Sequence, residues 1–257
     1  MNKKIIAVVN QKGGVGKTTT AINLATALAS IGHKILLVDL DSQGNASTGL
    51  GISQQERGLT TYDLMVFDTL AEKIVKPTNI PNLDIIVSTV DLSGAELELI
   101  SKSNRESILK NKITAIADNY DYIFLDCPPS LSIITINALV FAKSVLIPLQ
   151  CEFFALEGLT HLLKTISLVQ RKLNQDLKIE GILLTMYDRR YNLTAQVEED
   201  VRSNLGKMVF NTVIPRNVRI SEAPSHGKPA IIYDFKCIGS LAYIELAKEI
   251  LEKEKYK

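Results

Sequence analysis

Residues 10–20, NQKGGVGKTTT, place Gly13, Gly14 and Gly16 directly ahead of Lys17, Thr18 and Thr19. Glycines let successive backbone N–H groups converge on an anion, and a helix starting at Lys17 would turn its positive end toward the same point. With Val15 completing the loop, these residues form a phosphate cradle. Lys17 is placed for the β- and γ-phosphates, the Thr18 hydroxyl for Mg2+, and Thr19 for the α-phosphate. A glycine turn that merely caps a helix is the weaker reading, because a strand precedes the loop and a helix follows it. The loop also departs from the common pattern G-x-x-x-x-G-K-[ST]. Gln11 stands where that pattern has its first glycine, and Lys12 adds a second lysine.

Two further segments bring carboxylates. In VDLDSQGN, residues 38–45, Asp39 and Asp41 lie on one side of an extended backbone, so one of them can face a nucleotide and orient water toward the γ-phosphorus. Read alone, the same segment is equally compatible with a simple Asp-Ser-Gln-Gly turn. In YDYIFLDCPPS, residues 120–130, Asp126 ends an apolar run and precedes Cys127 and two prolines. That arrangement suits an aspartate holding the Mg2+ shell through water, followed by a stiff loop.

Positioning these groups calls for strands that end at one edge. Apolar runs at 4–10, 34–40, 83–89, 121–127, 144–150, 179–187 and 208–214 read as strands covered on both faces. Helical patterns fall between them at 17–31, 95–118, 132–142, 156–174 and 193–205, with a last one near 239–253. Such alternation predicts an α/β fold, a doubly wound and mostly parallel sheet flanked by helices. Ligands in such sheets bind beyond the carboxyl ends of the strands, where the lysines and aspartates above would lie. No linker, repeat or low-complexity tract interrupts the rhythm, so residues 1–257 are expected to form one domain.

The bulk numbers narrow the classes. A net charge of +1 gives no basic arm or acidic tail, so any nucleic-acid contact must be a local patch. Cys127, Cys151 and Cys237 are widely spaced, which argues against a disulfide framework or zinc ribbon and for a reducing compartment. His33, His161 and His226 share no ligand spacing. The apolar run after Lys4 is too short for a signal segment or a membrane span, and a cytoplasmic protein is expected.

The motif KGGVGKTT, taken with VDLDSQGN, LDCPPS, QCEFFALEGL and TVIPRNVRISEAPSHGKP, resembles the ParA/Soj partitioning ATPases, P-loop NTPases of the deviant Walker A type. The similarity spans nearly the whole chain. It implies a Mg2+-dependent ATPase that forms a nucleotide-sandwich dimer with ATP, binds DNA without sequence preference on the nucleoid, and is stimulated by a ParB/Spo0J-type partner. It also implies a use for the second lysine: Lys12 would reach the phosphates of the opposite subunit, while Lys17 serves its own. On the same resemblance Asp41 is the water-orienting aspartate, Asp126 the Walker B residue, and Pro215 and Asn217 the adenine loop. Ser42 departs from the proline usual after that aspartate.

Arg190 and Arg219 match the DNA-contacting positions of the family, and Arg189, Arg216 and Lys228 lie close enough in sequence to extend a patch. From the residues alone these are ordinary surface cations. Two rivals remain. A MinD-like membrane-associated ATPase would need a C-terminal amphipathic helix, but here the apolar positions Leu241, Ile244, Ala247 and Leu251 give way to a mixed Glu/Lys tail, which reads as a helix packed on the domain. An iron–sulfur reductase bridging two subunits would need more cysteines beside Asp126 than Cys127 alone.

Overall fold

The β-branched and leucine-rich runs become strands because each can bury both of its faces. Ile5, Ala7 and Val9 pack into one layer while Ile6 and Val8 pack into the other. The computed structural model describes residues 3–153 and 155–255. Its strands are β1 (Lys4–Val8), β2 (Ile35–Asp39), β3 (Val75–Pro77), β4 (Leu83–Ile86), β5 (Tyr122–Asp126), β6 (Ser144–Gln150) and β7 (Lys178–Thr185). They form one sheet in the order β3-β4-β2-β5-β1-β6-β7, parallel throughout except for β3 against β4. The doubly wound expectation therefore holds, with β1 at the switch point between β5 and β6.

The helices are α1 (Lys17–Ser30), α2 (Asn45–Gly49), α3 (Thr61–Val66), α4 (Leu92–Leu99), α5 (Ile108–Ile113), α6 (Ile133–Phe141), α7 (Ala155–Lys172), α8 (Asn192–Leu205), α9 (Val218–Glu222), α10 (Ala230–Tyr233) and α11 (Ile238–Lys255). One layer is built on α1 and α11, where Leu24 and Leu28 meet Tyr243, Leu246 and Ile250. Burying a side chain of that size contributes ~1.5–3 kcal/mol. The other layer draws on α3 to α8.

Three expectations are corrected. The helix expected over 95–118 is broken: α4 ends at Leu99, Asn104 takes a left-handed φ of 54°, and a short turn leads into α5. The polar stretch Ser101–Asn104 offers nothing to bury, and asparagine tolerates the left-handed conformation that ends a helix. The run 208–214 is not a strand. Its Phe210 and Ile214 amides donate to Ile182 O and Leu184 O of β7 at 2.9 and 2.8 Å, but the pairing amounts to isolated bridges, Ile182 with Val209 and, one residue past the run, Tyr187 with Pro215, because the intervening Asn211 and Thr212 amides donate to the Glu249 carboxylate at 2.8 and 2.9 Å. Val209, Phe210 and Ile214 are buried even so, while Met208 is exposed and Val213 partly covered; Gly181 leaves room for the Phe210 ring, since a Cβ there would meet it at 2.4 Å.

The last correction concerns the C-terminal helix. It packs on the body as expected, but through Tyr243, Leu246, Ala247 and Ile250, with Leu241 exposed and Ile244 and Leu251 only partly covered. Among the described residues no helix is long and apolar enough to cross a membrane.

Candidate nucleotide site

Strand register assembles the site. Val8 and Asp39 both pair with Asp126, so the chain leaves β1, β2 and β5 at one point on the sheet edge. After β1 the loop is shaped by buried Asn10, whose side-chain amide donates to Pro148 O at 2.7 Å while its Oδ1 accepts from the Lys12 amide at 3.0 Å. Gly14 and Gly16 take φ of 73° and 89°, values open to glycine without strain. Val15 is buried, and its carbonyl accepts from the Thr185 hydroxyl at the end of β7 at 2.8 Å.

Lys17 opens α1 and is almost fully buried, its Nζ donating to Lys12 O at 3.1 Å. Burial lowers its pKa, and the carboxylates of Asp126 and Asp41 oppose that shift. A buried cation at the start of a helix and above a glycine loop suits an anion, while the two carboxylates suit a cation beside it. The β5 loop lies against it, since a Cβ at Gly13 would come within 4.0 Å of Pro129.

The three aspartates differ sharply. Asp39 is buried and fully engaged: it accepts from the Ser47 amide at 2.9 Å, the Ser47 hydroxyl at 2.7 Å and the Asp41 amide at 3.2 Å. Desolvation still raises its pKa to about 6 against those bonds. Asp126 is equally buried, yet among the described residues neither of its carboxylate oxygens accepts a well-formed hydrogen bond. Burial and the nearby Asp39 carboxylate push its pKa well up, opposed by the neighbouring Thr18 hydroxyl. Asp41 is only half-buried; its Oδ1 takes the Gln43 amide at 3.0 Å, and the turn closes as the Gly44 amide donates to Asp41 O at 2.9 Å. That turn forms with Ser42 in place of proline.

Orphaned carboxylate oxygens beside a threonine hydroxyl are what a cation would satisfy. Asp126 and Thr18 therefore fit Mg2+, which keeps most of its water and takes one or two protein oxygens.

Lys12 does not join Lys17. Its ammonium forms an ion pair with Glu152, just beyond β6, and both side chains are half-exposed. On the other side of the loop a cleft of about 230 Å3 opens beside Gly16 and Thr19, lined among others by Met186, Pro215, Asn217 and Tyr243. Asn217 caps α9, accepting from the Arg219 amide at 3.0 Å. Met186 holds a left-handed φ of 49°, a strained conformation for a non-glycine residue.

The arginine segments come side by side, because Tyr187 bridges Pro215 and the Arg216 amide donates to Tyr187 O at 3.0 Å. Arg190 and Arg219 are both exposed, and each is engaged within the chain. Arg190 grips Asp188 with Nε and Nη2 at 2.9 and 2.6 Å, and Arg219 reaches Glu222 at 3.0 Å and Asp234 at 3.5 Å. Exposed pairs of this kind contribute little, so a phosphate could displace them.

Sequence reasoning missed Asn10, Thr185, Glu152 and Arg57. Thr185 ends β7 and Asn10 lies two residues past β1, positions at the site edge that could have flagged them. Glu152 lies in the segment just past β6, a position that marks it for chemistry, but its residue type and spacing gave it no role. Nothing in the local pattern marks Arg57, which is buried against Gly44 from a distant turn.

A family model described as an AAA domain matches residues 3–179. The chain is 56% identical over 247 residues to the sporulation initiation inhibitor protein Soj of Bacillus subtilis (strain 168), covering 96% of this chain and 98% of that one. It is 52% identical over 254 residues to the chromosome partitioning protein ParA of Caulobacter vibrioides (strain NA1000 / CB15N), covering 98% and 95%. The chain belongs to the ParA/Soj family of chromosome-partitioning ATPases. Likeness extends to a solved structure of cobyrinic acid a,c-diamide synthase from Mycobacterium smegmatis with bound ATP analog and magnesium. That match has a TM-score of 0.86 and 34% identity, and covers 98% of this chain and 96% of that one. As a ParA/Soj ATPase the chain carries its glycine-rich loop at the head of α1.

Proposed function

We propose that this ATPase, acting as one unit over residues 1–257, is a nucleotide-driven switch for partitioning chromosome or plasmid DNA. In the ATP state two copies sandwich two nucleotides, the dimer binds DNA without sequence preference on the cytoplasmic nucleoid, and a ParB/Spo0J-type partner speeds hydrolysis. The observation that carries this reading is the parting of the two lysines. Lys17 is sunk over its own loop while Lys12 points to a half-exposed pair with Glu152, free to exchange that partner for a phosphate of a facing subunit.

On this reading, the N–H groups of the loop formed by Gly13, Gly14, Val15 and Gly16 cradle the phosphates of ATP, with Lys17 at the β- and γ-phosphates and Thr19 at the α-phosphate. Adenine lies in the cleft at Pro215 and Asn217. Mg2+, held by Thr18 and through water by Asp126, would neutralise charge on the phosphate oxygens. Asp41 orients a water for in-line attack on the γ-phosphorus, ADP departs, and the proton goes to the released phosphate. Phosphoryl transfer asks for placement and charge more than for a strong base, which suits a half-buried aspartate set in a turn. Lys12 of the facing subunit adds a cation only once the dimer exists, coupling hydrolysis to assembly.

Sedimentation of the full chain with ATP or ADP, with DNA fragments and with liposomes, tests this. Expected is a dimer with ATP alone that co-sediments with DNA. Capture by liposomes without DNA binding would contradict the reading and favour a membrane-associated positioning ATPase.

A further inference from the structure

Arg57 is only 2% exposed, yet among the described residues no carboxylate lies within ion-pair reach of it. A buried guanidinium is costly unless its donors are met, so its retention calls for a reason beyond packing. Its partners are all neutral. Nη1 donates to Ser88 O at 2.7 Å; Nη2 donates to Gly44 O at 3.2 Å and to the Thr48 hydroxyl at 2.7 Å; Nε has no partner. The residue is delivered there by a short 3-10 turn, Gln54–Glu56, closed by a capping box in which the Ser53 amide and hydroxyl both donate to the Glu56 carboxylate.

These partners form a frame around the turn that carries Asp41. Gly44 ends that turn in a left-handed conformation with φ of 63°, and its carbonyl also takes the Thr48 amide at 3.0 Å and the Thr48 hydroxyl at 3.1 Å. Ser88, just past β4, is tied to the same frame from the other side: its amide donates to the Ser47 hydroxyl at 3.1 Å, which in turn donates to Asp39. The fit at Gly44 is tight. A Cβ there would sit 2.0 Å from Arg57 Nη1 and 2.8 Å from Ser88 O.

We infer that Arg57 is a positioning residue for hydrolysis: its guanidinium clamps the Asp41–Gly44 turn to the segment just past β4, so that the Asp41 carboxylate is held in place before the water attacks the γ-phosphorus. The inference rests on the role proposed above for Asp41. A neutral frame suits this task, since two carbonyls and a hydroxyl hold the fork by direction without drawing the Asp41 charge away, and a planar guanidinium meets three spread acceptors from two nitrogens, which the single nitrogen of a lysine does not reproduce. Small displacements of a positioning group are expensive in rate, while substrate binding, which depends on the phosphate loop, is not at stake.

The test is steady-state hydrolysis and ADP titration calorimetry on Arg57→Met, Arg57→Lys, Asp41→Ala and the Arg57→Met/Asp41→Ala double variant. Expected is a kcat loss for Arg57→Met on the order of 10- to 100-fold with KM and ADP affinity nearly unchanged, and a partial loss for Arg57→Lys. In the double variant Arg57→Met should add nothing to the loss from Asp41→Ala, because the two residues act through one group. Hydrogen exchange of residues 41–48 with ADP bound should rise while α1 is unaffected. Should Arg57→Met not fold, Thr48→Val removes one acceptor of the clamp and should show the same pattern more weakly. If kcat per folded molecule is unchanged, or the losses simply add, Arg57 is structural only. If Asp41→Ala itself hydrolyses ATP normally, the Asp41 reading and this inference fall together; if only Arg57→Met is normal, the clamp alone is wrong.

Discussion

Asp39 and Asp126 are direct register partners across β2 and β5, and the fold treats them in opposite ways. Ser47 and the Asp41 amide satisfy Asp39, whereas among the described residues the Asp126 oxygens have no well-formed hydrogen bond. Two buried carboxylates side by side raise each other's cost of ionisation. The first is built into the Asp41–Gly44 turn, and the second has oxygens that fit a cation.

This pair makes the nucleotide-free protein sensitive to pH. Asp39 is raised from an ordinary 3.8 to about 6 in the folded chain, and Asp126 is raised as well. Between the unfolded and folded values the native state binds more protons, so stability falls as pH rises through that window. Urea unfolding without nucleotide or Mg2+ should therefore give lower stability at pH 7 than at pH 5, after correction for the remaining groups by comparison with Asp126→Asn and Asp39→Asn. Each variant should flatten the dependence; an unchanged slope in both would remove the pair as its source.

Lys17→Ala should abolish nucleotide binding in monomer and dimer alike, because it deletes the buried cation at the phosphate loop. Titration calorimetry with ADP is the check. Affinity within a few-fold of the parent would sink the assignment of the loop.

Asp41→Ala should bind ATP and dimerise but hydrolyse it very slowly, leaving a persistent dimer. Phosphate release measured in single turnover decides it. A fast variant would pass the role elsewhere, although Asp39, already spent on Ser47, is poorly placed to take it.

Arg190→Ala and Arg219→Ala should each weaken DNA binding on any sequence while sparing ATP-driven dimerisation. Each neutralised phosphate contributes ~0.9 to the slope of log affinity against log salt, so with two copies per dimer each variant should flatten the slope by about two units. The arginines first have to release Asp188 and Glu222, so a smaller change would show that those pairs persist on DNA. Anisotropy on two unrelated duplexes with saturating ATP measures it, and unchanged slopes would place the DNA surface elsewhere.

The parallel strands and the glycine loop that opens α1 could be read from sequence because both are local: a strand buried on two faces is a continuous apolar run, and the glycine loop is a contiguous motif. Where tertiary partners decide, the sequence misleads. Residues 208–214 look like a strand, and the Phe210 and Ile214 amides do donate to β7, but between them Glu249, from α11, takes the Asn211 and Thr212 amides and interrupts the ladder. The residues that cross between segments were invisible for the same reason. Arg57 meets Ser88, and Lys12 meets Glu152, only after the sheet has brought distant loops to one edge. Asp39 and Asp41 could not be separated by spacing, since their difference lies in Ser47, eight positions past Asp39 and folded back onto it.

The claim that Lys12 works on the opposite subunit can be tested by mixing. Lys12→Ala alone should keep ADP affinity but neither dimerise well nor hydrolyse ATP, and Asp41→Ala alone should dimerise without hydrolysis. In a mixed dimer the Lys12→Ala subunit retains its own Asp41 and receives an intact Lys12 from its partner, so one of the two sites is complete. At concentrations where Asp41→Ala is fully dimeric with ATP, adding Lys12→Ala should produce ATP hydrolysis well above the sum of the separate variants. Hydrolysis no greater than that sum, with mixed dimers shown to form, would mean that Lys12 acts within its own chain and that the two-lysine sandwich is wrong.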